Sequence, residues 1–161
     1  MEAPRIGIGS DLHRMVLGRP CVLGGERFDC EVGPEGHSDA DAVLHALCDA
    51  LLGAAGLDDL GTLFPDSEPG NRDRSSTEFL AEVCARVRAA GLAPASVDLV
   101  VHCDRPRIGP RRAAIRARLA ALLDLPVDRV NLKGKSLEGT GGEDEAVSVL
   151  AVALLVQAPG A

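Results

Sequence analysis

His37-Ser38-Asp39-Ala40-Asp41-Ala42-Val43-Leu44-His45-Ala46-Leu47-Cys48-Asp49-Ala50-Leu51-Leu52-Gly53-Ala54-Ala55-Gly56 carries a single amphipathic helix that starts after Ser38. Val43, Leu44, Leu47 and Leu51 recur at helical spacing and predict a buried stripe. The Ser38 hydroxyl is expected to cap the first turn, with Asp41 three residues on completing a capping-box-like pattern. Gly56 supplies the stop. Asp41, His45 and Asp49 stand at i, i+4 and i+8, so the helix also presents a polar face away from its leucines.

Upstream of this helix, Arg5-Ile6-Gly7-Ile8-Gly9 and Cys21-Val22-Leu23-Gly24-Gly25 read as two short strands, paired antiparallel around the turn-rich Arg14 to Pro20. Phe28 to Val32 extends the second. Downstream, Leu57 to Ser75 is a polar stretch longer than compact domains usually hold without a function, and is a candidate substrate lid. Thr77 to Ala90 predicts a second helix ended by Gly91, Val97 to Cys103 a strand, and Pro110 opens a third helix to Leu123. Arg129 to Lys135 reads as a strand. Ala146 to Val156, almost uniformly apolar, reads as a strand buried on both faces, with a helix as the alternative. This order predicts an α+β fold, a two-layer α/β sandwich with a mixed sheet and helices mainly on one face.

The 161 residues, 46% hydrophobic and 25% charged, suit a single domain spanning 1–161. Seventeen basic against twenty-four acidic residues leave a formal charge of −7, and only 2% of residues are aromatic, with no Trp or Tyr. That balance argues against a nucleic-acid partner, which needs a basic face and stacking platforms. The longest apolar run, Ala146 to Gln157, is too short to span a bilayer, and Met1-Glu2-Ala3-Pro4 lacks the order of a signal peptide, so a cytoplasmic protein with no membrane partner is expected. Five cysteines, Cys21, Cys30, Cys48, Cys84 and Cys103, follow no metal-ligand spacing and read as reduced, mostly buried thiols.

Chemistry concentrates around the few histidines. In an extended segment Asp11 and His13 project to the same side, so both could reach one ion, with His45 adding a third ligand from the helix. Two nitrogens and one oxygen suit zinc, and three protein ligands leave a position open for a phosphate oxygen. Taken alone, the same spacing also fits a solvated polar stripe. Gly7-Ile8-Gly9 and Gly33-Pro34-Glu35-Gly36-His37-Ser38 flank the region, the second leading into a helix N-terminus that could receive an anion. His37 could contact phosphate, act as an acid or be an ordinary loop histidine, and His102 reads as a structural or surface residue. Arg105, Arg107, Arg111 and Arg112 would suit diphosphate or form a solvated basic edge. Lys133 to Gly142 lacks the order of a nucleotide-triphosphate loop.

Four ordered blocks together resemble the 2-C-methyl-D-erythritol 2,4-cyclodiphosphate synthases of the non-mevalonate isoprenoid pathway. They are Ile6 to His13, His37 to Gly56, Asp59-Leu60-Gly61-Thr62-Leu63-Phe64-Pro65-Asp66, and Arg105-Pro106-Arg107-Ile108-Gly109-Pro110. The resemblance implies a homotrimeric phosphorus–oxygen lyase with sites between subunits. Its substrate would be a small cytidine diphosphate compound, 4-diphosphocytidyl-2-C-methyl-D-erythritol 2-phosphate, converted to the cyclic diphosphate and CMP. It also implies one Zn2+ on Asp11, His13 and His45, and Mg2+ or Mn2+ as a second divalent ion at Glu138. His37, Ser136 and Asp49 would be catalytic. Ser38, Asp59, Leu60, Gly61, Phe64, Asp66, Glu68, Asp104, Arg105, Pro106, Arg107 and Lys135 would bind substrate.

The departure from the family pattern lies near the C-terminus, where a Lys-Ala-Thr-Thr-Thr-Glu segment usually precedes Gly-Phe-Thr-Gly-Arg-Gly-Glu-Gly. Ungapped alignment on Lys133 puts Ser136 on the transition-state-stabilising threonine and Glu138 on the glutamate of the second ion, while Lys135 replaces a threonine. The stretch after Glu138 is shorter, and the family's Phe and Arg, which bind diphosphate along the trimer axis, have no counterpart among Gly139 to Glu145. A non-catalytic trimeric homologue and a zinc phosphohydrolase are the alternative readings.

Overall fold

The structure, a computed structural model, describes residues 3–72, 74–140 and 145–159. Met1 and Glu2 of the N-terminal reading, Asp73 of the lid stretch and residues 141–144 of the shortened C-terminal segment lie outside these. The fold is α+β with a mixed sheet. Seven strands appear among the described residues: β1 (Arg5–Leu17), β2 (Cys21–Leu23), β3 (Glu26–Phe28), β4 (Val32–Pro34), β5 (Leu92–His102), β6 (Val130–Lys135) and β7 (Ala146–Gln157). The helices are α1 (Ala42–Ala55), α2 (Leu60–Leu63), α3 (Ser76–Ala89) and α4 (Arg112–Leu123). None is long and apolar enough to cross a membrane. The main sheet runs β4-β1-β7-β5-β6, antiparallel except for the β5–β6 pair, and β2 with β3 forms a separate hairpin.

The contact between β1 and α1 sets the frame for the site. A Cβ at Gly7 would stand 2.1 Å from the Ala50 carbonyl oxygen, and one at Gly9 2.0 Å from that of Ala46. Only glycine lets the helix backbone rest on the strand in this way. The facing helix positions are alanines, Ala46, Ala50 and Ala54, each one turn apart. The glycine pair therefore serves packing rather than an anion. Leu44, Leu47, Leu51 and Leu52 of the same helix are fully buried, each contributing roughly 2 kcal/mol of transfer free energy.

Several expectations are corrected. Strand β1 runs on to Leu17 and pairs with β7 and β4, not with Cys21–Leu23, whose partner is the adjacent Glu26–Phe28. Gly24 and Gly25, at φ +65° and +74°, make the two-residue turn of that hairpin. Asp41, not Ser38, caps α1. Its buried carboxylate accepts from the N–H groups of Gly24, Gly25, Val43 and Leu44 at 2.7–3.1 Å, and Ser38 lies outside the helix at φ +50°. The Val43 and Leu44 amides in the first turn of α1 are thus already occupied by Asp41. The stretch after Leu57 is not structureless: it holds α2, capped by Asp59, and a 3-10 turn at Pro69–Asn71. The stop at Gly56, left-handed at φ +73°, is as expected.

Strand β7 is not buried on both faces. Val147, Val149, Ala151, Ala153 and Leu155 are buried on the helix side, while Leu150 and Val156 on the other side are 43% and 37% exposed. The helices contact one face of the sheet, and the opposite face of β1 leaves Ile6, Ile8 and Leu12 about two-thirds exposed or more, at 72%, 66% and 68%.

Candidate metal centre

Along β1 the alternation that turns Gly7 and Gly9 toward α1 carries Asp11 and His13 to the same side. Because the glycines let α1 approach closely, His45 on that helix meets them. One ligand atom from each of Asp11, His13 and His45 lies within 4.8 Å of the others, the only such cluster of His, Cys, Asp or Glu among the described residues. Asp11 Oδ2 is 2.8 Å from His13 Nε2 and 3.4 Å from His45 Nδ1.

The orientation of His13 is set from behind. Its Nδ1 lies 2.7 Å from the Glu35 carbonyl oxygen, which can only accept, so Nδ1 carries the hydrogen. In the neutral ring Nε2 then presents a lone pair to Asp11 Oδ2, itself buried and without a hydrogen-bond donor. A carboxylate oxygen and an imidazole lone pair at this separation need positive charge between them, a proton or a cation. Burial alone would raise the Asp11 carboxyl, but the two imidazoles outweigh it and bring it to about 2. The Asp11 carboxylate in turn raises His13. The donor set, one hard oxygen and two nitrogens with a buried orphan oxygen at the centre, fits a divalent ion such as zinc.

The triad opens into a cavity of about 290 Å³ that His37, Ser38, Asp49, Leu60, Gly61, Phe64 and Asp66 also line. Asp49 Oδ1 accepts the Leu60 N–H at 2.8 Å, tying the start of the lid to α1, and burial raises this carboxyl. Phe64 packs on Phe79 with centroids 5.1 Å apart. The Arg74 guanidinium lies 4.7 Å over the Phe79 ring and pairs with Glu82 at 2.9 Å. Asp59 and Glu68 are not among the lining residues: Asp59 caps α2 through the Thr62 N–H at 2.7 Å, and Glu68 precedes the 3-10 turn. Sequence reasoning missed Asp39, Asn71, Arg72, Arg74, Ser76 and Phe79, all of which line the cavity. Asp39 stood inside a quoted motif; the others carry no local signal, being brought in by the fold of the lid and α3.

Asp104, Arg107, Lys135 and Ser136 line a second cleft of about 530 Å³ between the end of β5 and the end of β6. The Ser136 hydroxyl donates to the Glu138 carboxylate, and Asp104 accepts the Leu137 N–H at 2.9 Å. The Pro106 carbonyl accepts from the Cys103 thiol at 3.2 Å. Of the four arginines, Arg105 pairs with Glu145, Arg111 with Glu26 at 2.7 Å, and Arg112 reaches the Leu132 carbonyl at 2.6 Å and Asn131 Oδ1 at 2.8 Å. Of these four, Arg107 alone has no ion pair or side-chain hydrogen bond to a described residue. The two clefts share no lining residue, so one chain does not bring Ser136 and Lys135 to the triad.

The family model of the YgbB family matches residues 4–156. A 2-C-methyl-D-erythritol 2,4-cyclodiphosphate synthase of Bordetella petrii is 46% identical over 161 residues, covering 98% of this chain and 99% of that protein. One from Chromobacterium violaceum is 49% identical over 156 residues, covering 96% and 99%. Among solved structures, a CDP-bound 2C-methyl-D-erythritol-2,4-cyclodiphosphate synthase superposes with a TM-score of 0.89 at 45% identity, over 94% of this chain and 100% of that one. The CDP complex of IspF from Plasmodium falciparum gives 0.84 at 30% identity, over 98% of each chain. Near-complete coverage, high identity and a shared fold lead to one conclusion: the chain belongs to the YgbB family.

Proposed function

We propose that this chain, acting as one domain of 1–161 in a two-layer α/β sandwich, is a 2-C-methyl-D-erythritol 2,4-cyclodiphosphate synthase of the cytoplasm. The observation that carries the reading is the convergence of Asp11, His13 and His45 on a donorless carboxylate oxygen, in a chain so similar to named synthases. Asp11 Oδ2, His13 Nε2 and His45 Nδ1 would hold Zn2+. Glu138 offers a single carboxylate, so Mg2+ or Mn2+ would be held there only together with substrate phosphates. When bound, these ions withdraw charge from the phosphates at the reacting centre.

The chain's own residues position the substrate. The 2-phosphate oxygen attacks the β-phosphorus, one P–O bond forms, the bond to CMP breaks, and the cyclic diphosphate remains. No protein nucleophile is required, since the attacking oxygen belongs to the substrate and gains the advantage of an intramolecular reaction once held in place. His37 and Ser38 would contact phosphate beside the triad, and Ser136 would donate to the oxygen that gains charge. Leu60, Gly61, Phe64 and Asp66, which line the cavity, would hold the erythritol part, and Asp59 and Glu68 would reach it only if the lid shifts when substrate binds. The cytidine part would lie in the second cleft, against Asp104, Arg107 and Lys135, with Arg105 and Pro106 flanking it in sequence but outside its lining.

The separation of the two clefts in one chain supports a homotrimer in which each site takes its triad from one subunit and its nucleotide cleft from a neighbour. The exposed apolar face of β1 and β7 is the kind of surface that such an assembly covers.

Purified protein with zinc and magnesium should release CMP and the cyclic diphosphate from 4-diphosphocytidyl-2-C-methyl-D-erythritol 2-phosphate. No CMP would overturn the proposal; CMP with an open-chain product would identify a phosphohydrolase instead. His45→Ala should lose zinc and activity together, whereas Ser136→Ala should lower turnover and keep its zinc, both measured by metal analysis beside the assay.

A further inference from the structure

His45 has a second nitrogen whose surroundings the metal reading does not use. Its Nε2 lies 3.0 Å from the Ser76 hydroxyl oxygen. That hydroxyl also faces Asp39 Oδ1, a short hydrogen bond to an acceptor that cannot donate as a carboxylate. Ser76 has one hydroxyl hydrogen, and it goes to Asp39. The Ser76 oxygen is therefore left as an acceptor, so His45 must donate from Nε2–H. Its Nδ1 is then the lone pair, and this is the atom that faces Asp11 Oδ2 at 3.4 Å. Ser76 is only 1% exposed, so water does not compete freely for this position.

We propose that Asp39 and Ser76 are positioning residues for the metal centre, a carboxylate–hydroxyl–imidazole relay that fixes the ring of His45 and makes its Nδ1 a better ligand. The relay rests on the reading of Asp11, His13 and His45 as the zinc site. A ligating histidine gains orientation and basicity when its other nitrogen donates toward a carboxylate, and loss of such a partner weakens metal binding by about 10–100-fold. Here the charge of Asp39 reaches the ring through a hydroxyl.

The relay also ties the lid to the metal centre. Ser76 is the first residue of α3, and Asp39 accepts its backbone N–H at 3.1 Å as well. The stretch from Leu57 to Ser75 is thus anchored at both ends on polar residues of or just before α1, by Asp49 at Leu60 and by Asp39 and His45 at Ser76.

The test is zinc affinity, measured by competition with a chromophoric chelator and not by turnover. Threonine and valine have nearly the same shape and differ by the hydroxyl. Ser76→Thr should stay within a few-fold of wild type, and Ser76→Val should bind zinc about 10–100-fold more weakly. Ser76→Ala, which adds no methyl group, should fall with the valine variant and serves if the branched side chains do not fold. Equal affinity of the Thr and Val variants, or an Ala variant as tight as wild type, overturns the relay alone. A wild-type chain that takes up no zinc overturns the metal-centre reading and the relay with it.

Discussion

Asp11 draws its behaviour from two neighbours that pull against burial. Its carboxyl sits at about 2, below the ordinary 3.8, because the imidazoles of His13 and His45 outweigh desolvation. A carboxyl lowered in the folded state contributes stability that is present above its unfolded value and is lost as pH falls toward the folded one. With chelator present, unfolding by urea should therefore show wild-type stability falling between about pH 4 and pH 2 more steeply than that of Asp11→Asn. Superimposable profiles would contradict the assignment. The partner effect has the opposite sense: His13 is raised by Asp11, so its contribution is present below its ordinary value and is lost as pH rises through the folded one. The residue types and the i+2 spacing of Asp11 and His13 were legible in the sequence. The role of Glu35 was not, because a backbone carbonyl has no sequence signature.

At the scale of elements, the meeting of β1 and α1 decides whether the ligands converge. A methyl group at Gly9 would lie 2.0 Å from the Ala46 carbonyl oxygen and 2.5 Å from the Ala50 amide nitrogen. Neither backbone atom can move without moving the helix, so Gly9→Ala should push α1 off the strand. The expected result is a loss of about 2 kcal/mol or more on chemical unfolding, with weaker zinc binding because His45 moves with the helix. Unchanged stability would show that the contact is looser than described. The helix was legible from its leucine periodicity and its Gly56 stop, while its true cap was not: Ser38 and Asp41 are both competent capping residues. What selects Asp41 is the hairpin turn at Gly24 and Gly25, whose amides also need an acceptor.

For the whole molecule, the proposed trimer places the triad and the nucleotide cleft of each site on different chains. Neither half is complete alone, so two inactive variants should rescue each other. Co-expressed His45→Ala and Lys135→Ala chains that mix at random should recover activity at about a quarter of the sites, where both halves are intact. No recovery in verified mixed oligomers would place both halves of a working site in one subunit. The sheet face bearing Ile6, Ile8 and Leu12 was not legible as exposed. Alternation reveals that neighbouring residues face opposite ways, and the element order predicts helices mainly on one face, but neither tells which of the two sides of β1 the helices cover.

The sequence by itself determined the kinds of element, the stop of the main helix, the family resemblance and the identity of the three candidate ligands, because these rest on local periodicity and on residue chemistry. Only the tertiary structure decided the strand partners, the cap of α1, the separation of the two clefts and the link from Asp39 through Ser76 to His45. Each of these depends on groups far apart in the chain competing for the same donors, acceptors and space, and that competition is resolved only when the elements pack.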